Sequence, residues 1–157
     1  MGIQKASFGM GCFWGAEEAF SKIDGVVSTV VGYMGGNLEN PTYEQVCTGK
    51  TGHAETVQVE YDPEKISYEE ILEVFWDYID PTSINRQGPD YGTQYRSVIF
   101  YHSEEQKILA LKSKEDLEKS GRYKKPIVTQ IVPASTFYRA EEYHQRYFEK
   151  HGGSCHI

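Results

Sequence analysis

Apolar and polar positions along the chain follow two periods, two and about three and a half, and these lay out its elements. Gln4 to Phe8 predicts a short strand that runs into the turn Gly9-Met10-Gly11. Behind the turn, Ala16, Ala19, Phe20 and Ile23 take the i, i+3, i+4, i+7 spacing of one helix face, and Asp24-Gly25 ends that helix. Val26 to Tyr33 is dense in β-branched residues and predicts a strand closed by Gly35-Gly36. Asn37 to Gly52 predicts a loop with a helical turn at Tyr43–Cys47. Glu55, Val57, Val59 and Tyr61 alternate with Thr56, Gln58 and Glu60, the pattern of a half-buried strand, and Asp62-Pro63 stops it.

Ser67-Tyr68-Glu69-Glu70 has the form of a capping box, and the helix behind it carries Ile71, Val74, Phe75, Tyr78 and Ile79 on one face up to Asp80-Pro81. Thr82 to Thr93 predicts a loop, and Tyr95 to Tyr101 a strand. Ser103 and Gln106 predict a second capping box, opening a charged helix that runs to about Lys119. Ile127 to Val132 predicts a last strand, and Ala140 to Glu149 a helix with Ala140, Tyr143 and Tyr147 on one face. Gly152-Gly153-Ser154 predicts a flexible tail (152–157) that carries Cys155 and His156. The order β-α-β-β-α-β-α-β, without a repeat or linker, predicts an α+β fold. We expect a single domain over 1–157, a two-layer α/β sandwich with a ferredoxin-like core and a long irregular C-terminal tail.

Composition narrows the function. A chain of 157 residues with 39% apolar residues has enough material for a real core. Its 12 tyrosines point to a pocket apolar in body and hydrogen-bonding at the tips. A net charge of −7 argues against nucleic acid, and Arg122, Lys124 and Lys125 read as a solvated loop. No stretch approaches a membrane span, the N-terminus lacks a signal-peptide pattern, and Ala6 breaks the myristoylation motif that Met1-Gly2 begins. The expected location is the cytoplasm, with no membrane partner. Three cysteines, Cys12, Cys47 and Cys155, are too few for a disulfide scaffold. His53, His102, His144, His151 and His156 are scattered, without the paired spacings of a metal site, so neither a metal nor a cofactor is expected.

Cys12 follows a glycine turn and precedes a helix, where unpaired amides and the positive end of the dipole favour thiolate. Position alone leaves two readings, a nucleophile and a buried thiol near a helix start. Glu55 shares the parity of Val57, Val59 and Tyr61, which predicts an inward carboxyl whose pKa rises. A strand beginning one residue later would instead leave it in solvent. A raised carboxyl can donate a proton near neutral pH.

The string Gly11-Cys12-Phe13-Trp14-Gly15 resembles the signature of the A-type peptide methionine sulfoxide reductases. Tyr43-Glu44-Gln45-Val46-Cys47 with Thr51-Gly52-His53-Ala54-Glu55, then Asp90 with Gly92-Thr93-Gln94-Tyr95-Arg96-Ser97, and Ala140-Glu141-Glu142-Tyr143-His144-Gln145 are similar to further blocks of that family in the same order. Met10 departs from the small residue usual before the signature's first glycine. The resemblance implies reduction of methionine S-sulfoxide, free or in proteins, by attack of Cys12 on the sulfoxide sulfur. It gives Glu55 as the proton donor to oxygen, Tyr43 and Tyr95 as the holders of that oxygen, and Asp90 as an organiser of the network. Phe13 and Trp14 become the apolar wall for the S-methyl group. It also implies a sulfenic acid at Cys12, a resolving thiol, for which the near-terminal Cys155 is the candidate, and thioredoxin as reductant. Cys47 reads as a small buried hydrophobe. A passive or metal-binding tail at Cys155-His156 stays open, and a binding module without turnover is disfavoured by the set Cys12, Glu55 and Cys155.

Overall fold

Phe8 and its alternate neighbours Ala6 and Met10 are fully buried, and they seed the strand at the centre of the molecule. A computed structural model describes residues 2–88, 90–147 and 150. In it β1 (Gln4–Met10) lies between antiparallel β3 (Ala54–Tyr61) and β6 (Ser97–Tyr101). Beyond β3 come β2 (Val26–Met34) and a short antiparallel edge, β8 (Tyr138–Arg139). At the other edge β7 (Gln130–Pro133) runs parallel to β6. The mixed sheet has the order β7-β6-β1-β3-β2-β8. The fold is α+β, as expected.

Helices α1 (Phe13–Ser21), α3 (Tyr68–Tyr78) and α4 (Glu104–Lys119) pack with the sheet into one core. The Phe8 ring stacks on Phe20 of α1 at 5.6 Å and on Phe75 of α3 at 4.9 Å. Each such buried ring contributes about 1.5–3 kcal/mol. The other sheet face buries Met34, Ala54, Val98 and Phe100 under Val132, Ala134 and Phe137. Gly32 makes that close cover possible, since a Cβ there would run into the Phe137 ring at 2.6 Å.

The capping box at Ser67 and Glu70 forms, with Glu70 N donating to Ser67 Oγ at 3.1 Å and Ser67 N to Glu70 Oε1 at 3.2 Å. A further box, Thr42 with Gln45, starts the five-residue α2 (Tyr43–Cys47). At α4 only half the expected box appears. Gln106 N donates to Ser103 Oγ, while the Gln106 side chain serves His102 N and Lys5 O.

Three expected elements differ. The loop after Pro81 contains a two-stranded ladder, β4 (Arg86–Gln87) with β5 (Asp90–Tyr91), and Tyr95 sits in a 3-10 turn before β6. The last long strand starts at Gln130, because Val128 N is spent on Pro81 O at 2.8 Å. The helix expected from Ala140 to Glu149 does not start at Ala140: behind β8 the chain makes a 3-10 turn over Glu142–His144, and among the described residues the helical bond comes later, from Lys150 N to Arg146 O at 3.1 Å. There the Gln145 amide binds Val31 N, Val31 O and Ala140 O at 2.9–3.0 Å, and Arg146 takes φ 51°. Side chains that satisfy distant backbone in this way compete with a helical ladder over Ala140–Gln145. Among the described residues no helix is long and apolar enough to cross a membrane.

Candidate active site

Register brings the key groups together. Gly9 faces Thr56 across β1 and β3, so the chain leaving β1 turns beside Glu55. Gly11 makes that turn at φ 89°, a conformation costly for a side-chain-bearing residue. Cys12 then caps α1, its carbonyl accepting from Ala16 N at 3.2 Å, with no side-chain capping bond. The Cys12 thiol is half-buried. The first-turn amides of a helix favour negative charge at this position.

The next amide belongs to Phe13, and it donates to Glu55 Oε1 at 3.2 Å. Glu55 is 1% exposed, so its carboxyl points inward as expected, but β3 is not half-buried: it lies inside the sheet and Thr56 and Gln58 on its other face are buried as well. Burial pushes its carboxyl up to about 8; the Phe13 amide opposes this and the Asp90 charge adds to it. Glu55 Oε2 is buried without a hydrogen-bond partner in the described structure. A carboxyl whose raised pKa keeps it protonated at neutral pH is thus held by the amide next to Cys12, with one oxygen bonded and the other buried without a partner among the described residues.

Tyr43, Tyr95 and Asp90 surround the same carboxyl. Burial pushes the Tyr95 phenol up, and negative charge at Glu55, Cys47, Asp90 and Cys12 adds to the effect. Burial likewise raises Tyr43, together with a hydrogen bond to Cys47 and the charge of Glu55. Asp90, half-buried in β5, is also pushed up by burial. Phe13 stacks on Tyr43 at 6.4 Å, and Trp14 stacks on Tyr147 at 3.7 Å. Cys12, Phe13, Trp14, Tyr43, Glu55, Asp90 and Tyr95 are therefore gathered at one end of the sheet. Cys155 lies outside the described residues, as do His151 and His156.

Cys47 corrects an expectation. It is exposed, because the single short turn of α2 buries only Val46. Its thiol is bonded to Tyr43, and burial nonetheless raises its pKa against that bond. The sequence pattern also missed the supports of the site. Glu141 accepts from Tyr33 Oη at 2.8 Å and from Tyr43 N at 3.0 Å, tying α2 to β2. Despite the desolvation of its place, these donors hold Glu141 below the ordinary value. His144 accepts from Trp14 Nε1 at 2.9 Å. The only signal for either residue was membership of the last family-like block. His53 and His102 have other uses: His53 bridges Gly36 N and Leu38 O, and His102 pairs with Ser7 Oγ.

A half-buried thiol at a helix start, near a buried carboxyl of raised pKa on a mixed α+β sheet, fits thiol chemistry. The family model for peptide methionine sulfoxide reductase matches residues 4–157. The peptide methionine sulfoxide reductase MsrA of Methanothermobacter thermautotrophicus is 66% identical over 147 residues, which covers 94% of this chain and 87% of the relative. Its counterpart in Geobacter sulfurreducens is 60% identical over 154 residues, covering 98% and 95%. Among solved structures, Mxr1 from Saccharomyces cerevisiae in reduced form superposes with a TM-score of 0.88 at 39% identity, over 94% of this chain and 85% of that one. Mxr1 in complex with Trx2 superposes with a TM-score of 0.65 at 27% identity, over 92% and 84%. The chain belongs to the peptide methionine sulfoxide reductase family.

Proposed function

We propose that this chain reduces methionine S-sulfoxide, free or within proteins, to methionine, with Cys12 as nucleophile and Glu55 as acid. The observation that carries the reading is the Glu55 carboxyl, neutral at pH 7, held by the amide beside Cys12 with its second oxygen buried and unbonded among the described residues. Expulsion of bare oxide from sulfur is prohibitive, so the leaving oxygen needs a proton as the new bond forms. Cys12 sulfur attacks the sulfoxide sulfur, and the Glu55 proton passes to oxygen. Tyr43 and Tyr95 hold that oxygen, and Asp90 orders the network. Phe13 and Trp14 wall the S-methyl group.

In the adduct the hydroxyl shifts from the substrate sulfur to the Cys12 sulfur; the substrate S–O bond and the new S–S bond break, which leaves Cys12 as a sulfenic acid and the substrate, two electrons richer, as a thioether. A second thiol displaces that oxygen as water and leaves a disulfide. Cys155 is our candidate for this thiol. A thioredoxin dithiol then reduces the disulfide. The Trx2 complex of the yeast relative supports such a reductant. Cys47 is the other candidate for resolution, being exposed and bonded to an oxygen-holding tyrosine.

The single domain carries the site on a core that we read as ferredoxin-like. The order β6-β1-β3-β2, reached by β-α-β-β-α-β connections, supports this. The proposed location is the cytoplasm, where low disulfide usage is normal. An epimer-resolved reductase assay with dithiothreitol tests the function. Cys12→Ser is expected to lose reduction of the S-epimer altogether, and activity at the wild-type level in that variant would overturn the assignment.

A further inference from the structure

The Trp14 indole is held on its face by Tyr147 and on its edge by His144. An indole N–H can only donate, so the His144 Nδ1 that receives it at 2.9 Å must be unprotonated. The ring proton of neutral His144 therefore sits on Nε2. That nitrogen is buried with no hydrogen-bond partner among the described residues, and the residue is 0% exposed. Phe13, Tyr43 and Tyr143 pack around the ring at 5.1, 4.4 and 4.0 Å between centroids. A buried donor left unsatisfied is unfavourable. Here it leaves Nδ1 directed at Trp14.

We propose that His144 is a positioning residue: its neutral ring fixes the Trp14 indole by the edge, so the methyl-binding wall of the site is set only while His144 is unprotonated. The inference rests on the reading of Phe13 and Trp14 as that wall. A second ring proton would have to enter at Nδ1, the atom Trp14 already occupies. Protonation and anchoring thus exclude each other. Among the described residues, the titratable groups facing the ring are Glu141 and Tyr143 from its own turn, and Glu44 and Tyr43 from α2; α1 presents Phe13 and Trp14, with the buried Glu17 one turn further on, its carboxylate accepting from Arg146 N and Thr29 Oγ1. Burial holds His144 below the ordinary histidine value, while Glu141 and Glu44 pull the other way. The neutral, anchoring state is therefore complete above that ordinary value and is lost as pH falls below it.

Trp76 is the second of the chain's two tryptophans; it bonds to Ser113 in α4 and lies outside the site. Trp76→Phe therefore gives a protein whose indole emission reports Trp14 alone. That emission is expected to titrate in one step below about pH 6.5, the ordinary histidine value. His144→Phe is expected to abolish the step and to raise KM about three- to tenfold, the worth of one net hydrogen bond, with the saturating single-turnover rate within about twofold. His144→Asn puts a non-titrating oxygen near the place of Nδ1. It is expected to recover most of the lost affinity and to show no acid step.

Emission that is flat between about pH 5 and 8 in the Trp76→Phe protein, or unchanged KM in His144→Phe, would overturn the proposal. Should His144→Phe fail to fold, the emission titration and the His144→Asn profile still decide. A protein without sulfoxide reductase activity whose Trp14 emission still titrates would remove the functional reading and leave the anchoring intact.

Discussion

Glu55 carries its proton in the range where an ordinary glutamate has lost it. Its raised value sets a sign for two pH dependences. As an acid it is competent below about 8 and lost above, so the reductase step is expected to decline on the alkaline side of about pH 8. As a buried group whose folded value exceeds its unfolded one, it makes the fold less stable as pH climbs from 4.5 to about 8. Glu55→Gln removes both effects. Single-turnover reduction is expected to slow by about 10²–10⁴-fold, the usual worth of a positioned acid. The variant is also expected to melt higher than wild type at alkaline pH, which calorimetry at pH 7 and 9 checks. Equal single-turnover rates in the two proteins would remove the acid role. Glu55 was legible as an inward carboxyl through its shared parity with Val57 and Val59, but the burial of Thr56 and Gln58 on the opposite face was not, because both faces of an inner strand are covered by elements remote in sequence. His144 was not, because its role is a bond to Trp14 across 130 positions. Cys47 was misread for a related reason: a lone apolar-looking residue on a short turn does not reveal which way the turn faces.

The elements show where local rules suffice and where they yield. Helices that begin with a hydroxyl cap, at Ser67 and Ser103, start where the sequence puts them. α1 instead begins at Cys12, whose sulfur makes no side-chain capping bond. Serine is among the good caps, so Cys12→Ser should stabilise this start by about 0.5–1 kcal/mol while ending turnover, because replacing a poor cap with Ser is worth that order. Thermal melting is expected to rise by about 2 °C; a clear fall would show that the cysteine holds the fold together in some other way. Such an exchange of stability for reactivity is common at active sites. The C-terminal segment shows the opposite failure. Ala140, Tyr143 and Tyr147 have helical spacing, yet Tyr143 is 51% exposed and the segment is pinned by Glu141 and Gln145 instead. No period of hydrophobicity encodes a side chain that replaces backbone hydrogen bonds on a distant strand.

At the scale of the whole molecule, the sheet serves to bring remote parts of the chain to one end. Cys12 follows β1, Glu55 opens β3, Tyr95 precedes β6, and Tyr43 stands on α2. The α+β class followed from the order of elements. The short ladder of β4 and β5 did not, since its pairs are too few to leave a pattern. The complete cycle also needs a second thiol. Cys155→Ser is expected to give one turnover per chain and then stop with thioredoxin, while Cys47→Ser keeps cycling. Mass spectrometry of the oxidised protein checks which sulfurs are joined, and a Cys12–Cys47 bond would move the resolving role to Cys47.

The three bonds of the Gln145 amide to Val31 and Ala140 also act as a mooring. Two residues later Tyr147 rests on Trp14, and Cys155 stands eight residues further along the sequence. A chain of that length can extend no more than about 26–29 Å. On the proposal that Cys155 resolves the sulfenic acid, that length bounds the reach of its thiol from Tyr147. Short tethers of this kind give local concentrations on the order of millimolar. A dissolved thiol must reach that level before it can intercept the oxidised cysteine.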